Sequence, residues 1–122
     1  VAFEFQLIDD KRHPDALRGP DRQTGALYSV IPATSAPAKP AGEWNHGRLV
    51  VKGKHVEHWV NGEKVLDAQL DDPRVIAGVE KRWKPAPEIL SDLKNPKLSG
   101  PIALQHHGDR VWFKNLKIRE LR

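Results

Sequence analysis

Apolar and polar residues alternate at the beginning of the chain. From Val1 to Leu7 the apolar side chains occupy the odd positions, and Glu4 and Gln6 lie between them. This two-residue period is typical of a strand that buries one face. A second apolar run, residues 26–31, predicts another short strand after a loop rich in charge, proline and glycine.

Residues 48–70 carry the clearest pattern in the chain. Three apolar runs, RLVV, HVEHWV and KVLDAQL, are separated by a turn at Gly53 and by the pair Asn61-Gly62. An Asn-Gly pair between such runs is a strong hairpin signal, because both turn positions need a positive φ. The pattern therefore predicts a three-stranded meander. In its middle strand two sets of side chains should point to opposite faces: His55, Glu57 and Trp59 to one, and Val56, His58 and Val60 to the other.

Proline shapes the segments on either side of this meander. The prolines of residues 32–42 exclude a helix or a central strand there and predict a semi-extended loop. After the meander, Asp72 can cap a helix whose first position is Pro73, and one short helix is predicted over residues 73–83.

A last apolar segment, residues 101–121, predicts a final hairpin that turns at Gly108 and Asp109. The apolar parity shifts near Lys114 and Asn115, as a β-bulge would cause. Strands joined by turns and two long loops are typical of an all-β fold, here an antiparallel β-sandwich. Because only six or seven strands are visible, the sandwich is expected to be incomplete and to expose unpaired edges.

Composition excludes several classes of protein but does not identify the function. A chain of 122 residues with 39% hydrophobic content is expected to form a single domain, and it has no cysteine for a disulfide or a thiolate metal site. The 20 basic and 16 acidic residues are interspersed, which argues against nucleic acid as a partner. No apolar run is long enough for a membrane span, and no signal peptide is visible. The chain has no methionine, so a segment is expected to precede Val1.

Five blocks in this order resemble the 3-keto-disaccharide hydrolase domain, formerly a domain of unknown function: FEFQLIDD, GALYSVIP, KPAGEWN, VKGKHVEHWVNGEKVLD and GPIALQHHGDRVWFKNLKIREL. The resemblance covers nearly the whole chain and is weakest over residues 71–99. It implies a concanavalin A-like jelly-roll β-sandwich, of which residues 1–122 would be the C-terminal portion of one domain. It also implies a bacterial protein in the periplasm or outside the cell, and a carbohydrate substrate.

Nine residues are candidates for a site under this resemblance. The catalytic candidates are Glu4, Asp9, His13 and His107, and the substrate-binding candidates are Gln6, Asp10, Trp44, Trp59 and Gln105. Most of them have a purely structural alternative. Glu4 and Gln6 could face solvent, the aspartates could bond to turn amides, and the tryptophans could be buried in the core.

The histidines do not predict a metal site. His55 and His58 are three residues apart on a strand, and His106 and His107 are adjacent, so the members of each pair point to opposite faces. His106 also stands where many relatives have an acidic residue, which removes a carboxylate from that block. A divalent metal bound through carboxylates is compatible with the implied chemistry, but the sequence identifies no ligand set and leaves the cofactor unknown.

The resemblance implies hydrolysis of a glycoside whose sugar carries a ketone at C3. The ketone acidifies the C2 proton, so a base can remove it, the enolate can expel the group at C1, and water can then add. Glu4 or His107 would act as base or acid. The competing hypothesis is a lectin-like module that binds polysaccharide without cleaving it, and a third is a docking domain. A second copy or a preceding segment could complete the sheet.

Overall fold

The computed structural model describes residues 2–97 and 99–121; Val1, the first residue of the predicted opening strand, lies outside them. The regular elements, in chain order, are two short 3-10 helices, Ala16–Arg18 and Pro20–Arg22, the strands β1 (Gly47–Lys52), β2 (His55–Val60) and β3 (Glu63–Gln69), and the helices α1 (Pro73–Trp83) and α2 (Pro87–Lys94). No helix within the described part of the chain is long and apolar enough to cross a membrane.

The predicted meander is confirmed. The three strands form one antiparallel sheet in the order β1-β2-β3, and Asn61 and Gly62 turn the chain with φ of 51° and 86°. The register between β2 and β3 shifts between His58 and Trp59, which is the mark of a β-bulge. Burial alternates along β2, with its even-numbered residues in the core and its odd-numbered residues partly exposed, as the sequence predicts.

Helix α1 is confirmed with the predicted bounds. The Asp72 side chain accepts a hydrogen bond from the Arg74 amide at 2.8 Å, and Pro73 occupies the first helical position, where no amide hydrogen is needed. Helix α2 was not predicted from the proline-interrupted sequence around it. Its own first position is also a proline, Pro87, which is compatible with a helix start.

The core lies between the inner face of the sheet, the two helices and a tight turn at residues 27–31. Its buried members are Leu27, Val56, Leu66, Ala68, Leu70, Val75, Val79 and Leu93. His58 shares this inner face and is buried. Its Nδ1 lies 2.9 Å from the Gly25 carbonyl oxygen, to which it donates, and its ring stacks on Phe5 at 4.3 Å.

The two predicted N-terminal strands pair less regularly than expected. Phe5 bridges to Leu27, and Leu27 bridges in turn to Ile31, so the second segment folds back on itself instead of continuing as a strand. Ser29 has a φ of 58° in this turn. The opening segment is nevertheless held to residues 25–28 by backbone hydrogen bonds of 2.9 to 3.1 Å.

The predicted final hairpin is not present. Among the described residues, the segment 99–121 contains no regular strand, and all of its side chains are exposed. Ile102, Trp112 and Ile118 are 68 to 84% exposed, so the apolar pattern that predicted a buried strand has no sheet to pack against. Strands are stable only when paired, and the sequence pattern alone does not supply the partner edge. The result is one sheet covered on one face by helices, and residues 2–97 and 99–121 form no second sheet of a sandwich.

Candidate active site

The two polar residues of the opening segment, Gln6 and Glu4, have different surroundings. The Gln6 side chain donates to the Arg22 carbonyl oxygen at 3.2 Å and accepts from the Leu7 amide. Glu4 lines a shallow surface cleft, and its neighbours there include Tyr28, Arg82 and Trp83.

Both aspartates of the loop after this segment accept hydrogen bonds from backbone amides. Asp9 accepts hydrogen bonds from the amides of Lys11 and Arg12 at 3.0 and 3.2 Å, and Asp10 accepts from the Thr24 amide at 2.7 Å. These bonds occupy one oxygen of each carboxylate with the backbone. Asp9 thus makes the turn bonds that were its structural alternative, and Asp10 ties the loop to a segment 14 residues further along the chain.

His13 is held from both sides of its ring. Its Nδ1 accepts a hydrogen bond from the Asp15 amide at 3.1 Å, so in the neutral ring the proton is on Nε2. That Nε2 lies 3.5 Å from a carboxylate oxygen of Asp109. The imidazole side chain is 22% exposed, which leaves it accessible from solvent. Both ring nitrogens of His13 therefore have a partner, a backbone amide at Nδ1 and a carboxylate at Nε2.

The His13–Asp109 contact joins two regions that are distant in sequence. Asp109 belongs to the turn in which Gly108 has a φ of 97° and donates its amide hydrogen to His106 Nδ1 at 3.3 Å. Gln105 and His107 precede this turn directly, so the structure brings two candidate segments to one place. The contact of Asp109 with His13 was missed by sequence reasoning, because Asp109 was explained by the turn alone.

A partly buried polar cluster lies between the Glu4 cleft and His13. The Tyr28 hydroxyl donates to Asp15 at 2.7 Å, and Arg22 donates to both Asp15 and Tyr28 at 2.9 and 2.8 Å. Arg82 stacks on the Tyr28 ring at 4.3 Å. Burial favours the neutral carboxyl of Asp15, but the bonds from Tyr28 and Arg22 outweigh it and lower the pKa of Asp15. Burial and the Asp15 hydrogen bond raise the pKa of Tyr28.

The two candidate tryptophans lie elsewhere on the surface. Trp44 is 53% exposed, and the Lys114 ammonium lies 4.0 Å from its ring centre. Trp59 is on the outer face of β2, where it donates to Glu57 at 2.7 Å and is covered by the Arg48 guanidinium at 4.6 Å. Within the described residues, no hydrogen bond or ion pair joins this outer face to the His13 region.

Comparison with known proteins relates this chain to enzymes that act on 3-keto sugars. Residues 1–119 match the family model of the 3-keto-alpha-glucoside-1,2-lyase-like domain. A 3-keto-disaccharide hydrolase of Bacteroides thetaiotaomicron strain VPI-5482 is 38% identical over 128 residues, which cover 98% of this chain and 44% of that protein.

Two crystal structures of Parabacteroides distasonis proteins, both classed provisionally as glycosyl hydrolases, are also similar. The first is 30% identical with a TM-score of 0.56, over 67% of this chain and 38% of the other. The second is 32% identical with a TM-score of 0.51, over 57% of this chain and 36% of the other. The chain thus spans less than half the length of each of these three relatives.

Proposed function

The chain belongs to the 3-keto-alpha-glucoside-1,2-lyase-like domain family, and on that premise we propose that it forms part of a glycoside hydrolase acting on 3-keto sugars. The observation that carries the proposal is the 38% identity with a 3-keto-disaccharide hydrolase over 98% of this chain. The His13–Asp109 contact supports it independently, because it brings two predicted catalytic segments together.

The proposed reaction begins with the ketone at C3, which makes the C2 hydrogen acidic. A base takes that proton, and the resulting enolate expels the leaving group as the C1–O bond breaks. An acid protonates the departing oxygen. Water then adds, with its hydroxyl at C1 and a proton returned to C2. The route needs one base, one acid and a group that stabilises the enolate oxygen, and it differs from the two-carboxylate oxocarbenium mechanism.

Glu4 and His13 fit the two proton-transfer roles. Because Nδ1 of His13 is occupied by the Asp15 amide, only Nε2 can exchange a proton, and in the neutral ring it carries one. His13 can act as the acid only as the imidazolium, which carries a hydrogen on both ring nitrogens and therefore has to give up the Asp15 bond. The Asp109 carboxylate beside Nε2 favours that charged form. Glu4 is assigned as the base, since an ionised carboxylate only accepts. Arg82, which lines the same cleft, is a candidate for the enolate oxygen.

We also propose that residues 1–122 are the C-terminal portion of one jelly-roll domain. Its other strands would come from the part of the relatives that this chain does not span. The exposed apolar side chains of residues 102–118 support this, because a second sheet would bury them.

The test is release of free sugar from a 3-keto disaccharide and from its unoxidised parent. Cleavage of the keto substrate alone is expected. Glu4→Gln and His13→Gln should each lower kcat by about 10²- to 10⁴-fold, the usual contribution of a general acid or base. The exposed His46 supplies the control His46→Gln, which should keep full activity.

Undiminished turnover in a folded Glu4→Gln or His13→Gln variant would remove that residue from the mechanism. Saturable sugar binding without any product would instead favour the lectin-like module. In that case the exposed ring of Trp44 is the first one to replace, and Trp44→Ala should weaken retention on a polysaccharide.

A further inference from the structure

The outer face of the sheet carries a cluster of metal-ligand side chains that the proposed hydrolase mechanism does not use. His55 and Glu57 lie two residues apart on β2 and point to the same face, and Asp67 on β3 is paired directly with Glu57. One donor atom from each of these three residues lies within 4.8 Å of the other two. We propose that His55, Glu57 and Asp67 bind a divalent transition-metal ion.

The donor set favours a particular class of cation. One imidazole nitrogen and two carboxylate oxygens suit Zn²⁺ and similar ions, whereas Mg²⁺ and Ca²⁺ prefer oxygen donors alone. Around Zn²⁺ such ligand atoms stand roughly 3.3 Å apart, given metal–ligand distances of about 2.0 to 2.2 Å. His55 Nε2 and Asp67 Oδ1 are already 2.8 Å apart. Because the cluster is partly exposed, its side chains can rotate to bring the ligand atoms to the spacing that the ion requires.

The surroundings orient these ligands. The Trp59 indole donates to Oε2 of Glu57 at 2.7 Å, which leaves Oε1 directed toward the cluster. Hydrogen bonds of this kind fix the geometry of ligating carboxylates. The strands supply a rigid base, because β2 and β3 are paired along their whole length around the bulge.

Lys64 competes with the proposed ion for the same carboxylates. Its ammonium lies 3.5 Å from Glu57 Oε1 and forms an ion pair with Asp67. The hydrogen bond from Trp59 lowers the pKa of Glu57, and the bond from Lys64 lowers the pKa of Asp67, so both carboxylates are ionised at neutral pH. The lysine side chain is 38% exposed, and its flexible stem allows it to move away when a metal ion binds.

This competition makes the site testable with Zn²⁺ as the probe, on the whole chain, by calorimetric titration. Wild-type protein is expected to bind one equivalent. Lys64→Met should tighten binding by about five- to tenfold, since it removes two partly exposed ion pairs. Asp67→Asn and His55→Gln should each weaken binding at least tenfold, and His46→Gln should leave it unchanged. A d–d absorption spectrum with Co²⁺ should report coordination by nitrogen and oxygen.

Two results would overturn the proposal. One is the absence of Zn²⁺ binding to both the wild type and Lys64→Met. The other is binding that neither Asp67→Asn nor His55→Gln weakens, which would place the ion on other histidines. Both readouts are binding measurements, so they do not depend on the hydrolase proposal.

Discussion

Replacing Gly78 in helix α1 by alanine sets two measurable effects against each other. A Cβ at this position would lie 2.7 Å from the Val30 carbonyl oxygen, 2.9 Å from Val30 Cγ1 and 3.0 Å from Val30 Cα. Two of these atoms belong to the backbone, and Val30 is held in its turn by a 2.9 Å hydrogen bond from its amide to the Leu27 carbonyl. The neighbour therefore cannot move aside by a simple rotation.

Helix propensity alone predicts a gain for Gly78→Ala, of about 1 kcal/mol. Overpacking a close contact costs about 1 to 3 kcal/mol, and contact with backbone belongs at the upper end of that range. We therefore expect Gly78→Ala to lower the free energy of unfolding by about 1 to 2 kcal/mol. The variant should therefore be less stable than the wild type, whereas helix propensity alone predicts that it is more stable.

Urea unfolding of the whole chain provides the assay, with an unchanged m value as the sign that only stability has moved. The matched control is Ala77→Gly, because Ala77 is exposed on the same helix. That variant should lose about 1 kcal/mol by propensity alone. If Gly78→Ala instead raised the free energy of unfolding, the close approach of α1 to Val30 would be refuted.

Two further predictions concern His58 and Asn61. Burial lowers the pKa of His58, so below an unfolded pKa of about 6.5 the unfolded chain binds more protons and stability falls. The melting temperature should drop between pH 7.5 and 5.5, and His58→Asn should flatten that slope; an unchanged slope would contradict the assignment. Asn61 combines a φ of 51° with side-chain bonds to Pro37 and His46. Asn61→Ala should cost about 1 to 2 kcal/mol more than Asn61→Gly in urea unfolding, and equal losses would exclude backbone strain.

The locally encoded parts of the fold could be predicted from the sequence. The meander follows from alternation and from Asn61-Gly62, and helix α1 follows from a cap and a proline at its first turn. In each case the signal and the element occupy the same few residues. The family was also recognisable, because its blocks are contiguous stretches of sequence.

The site was only partly accessible from sequence. Asp9 and Asp10 were selected for their position in a loop, and the sequence did not reveal that each also bonds a backbone amide. His55 was set aside because no second histidine shares its face. Its metal-ligand neighbours are carboxylates, and one of them, Asp67, lies on the next strand.

By itself, then, the sequence determined the turns, the alternation of buried and exposed residues along β2, and the family, since these depend on residues that are neighbours in sequence. Only the tertiary structure decided that His13 meets Asp109 and that Asp67 faces His55 and Glu57. It also decided that the apolar residues after Gly100 remain exposed. Contacts of this kind depend on register, on a bulge and on the presence of a partner edge, and these are set by the packing of distant segments.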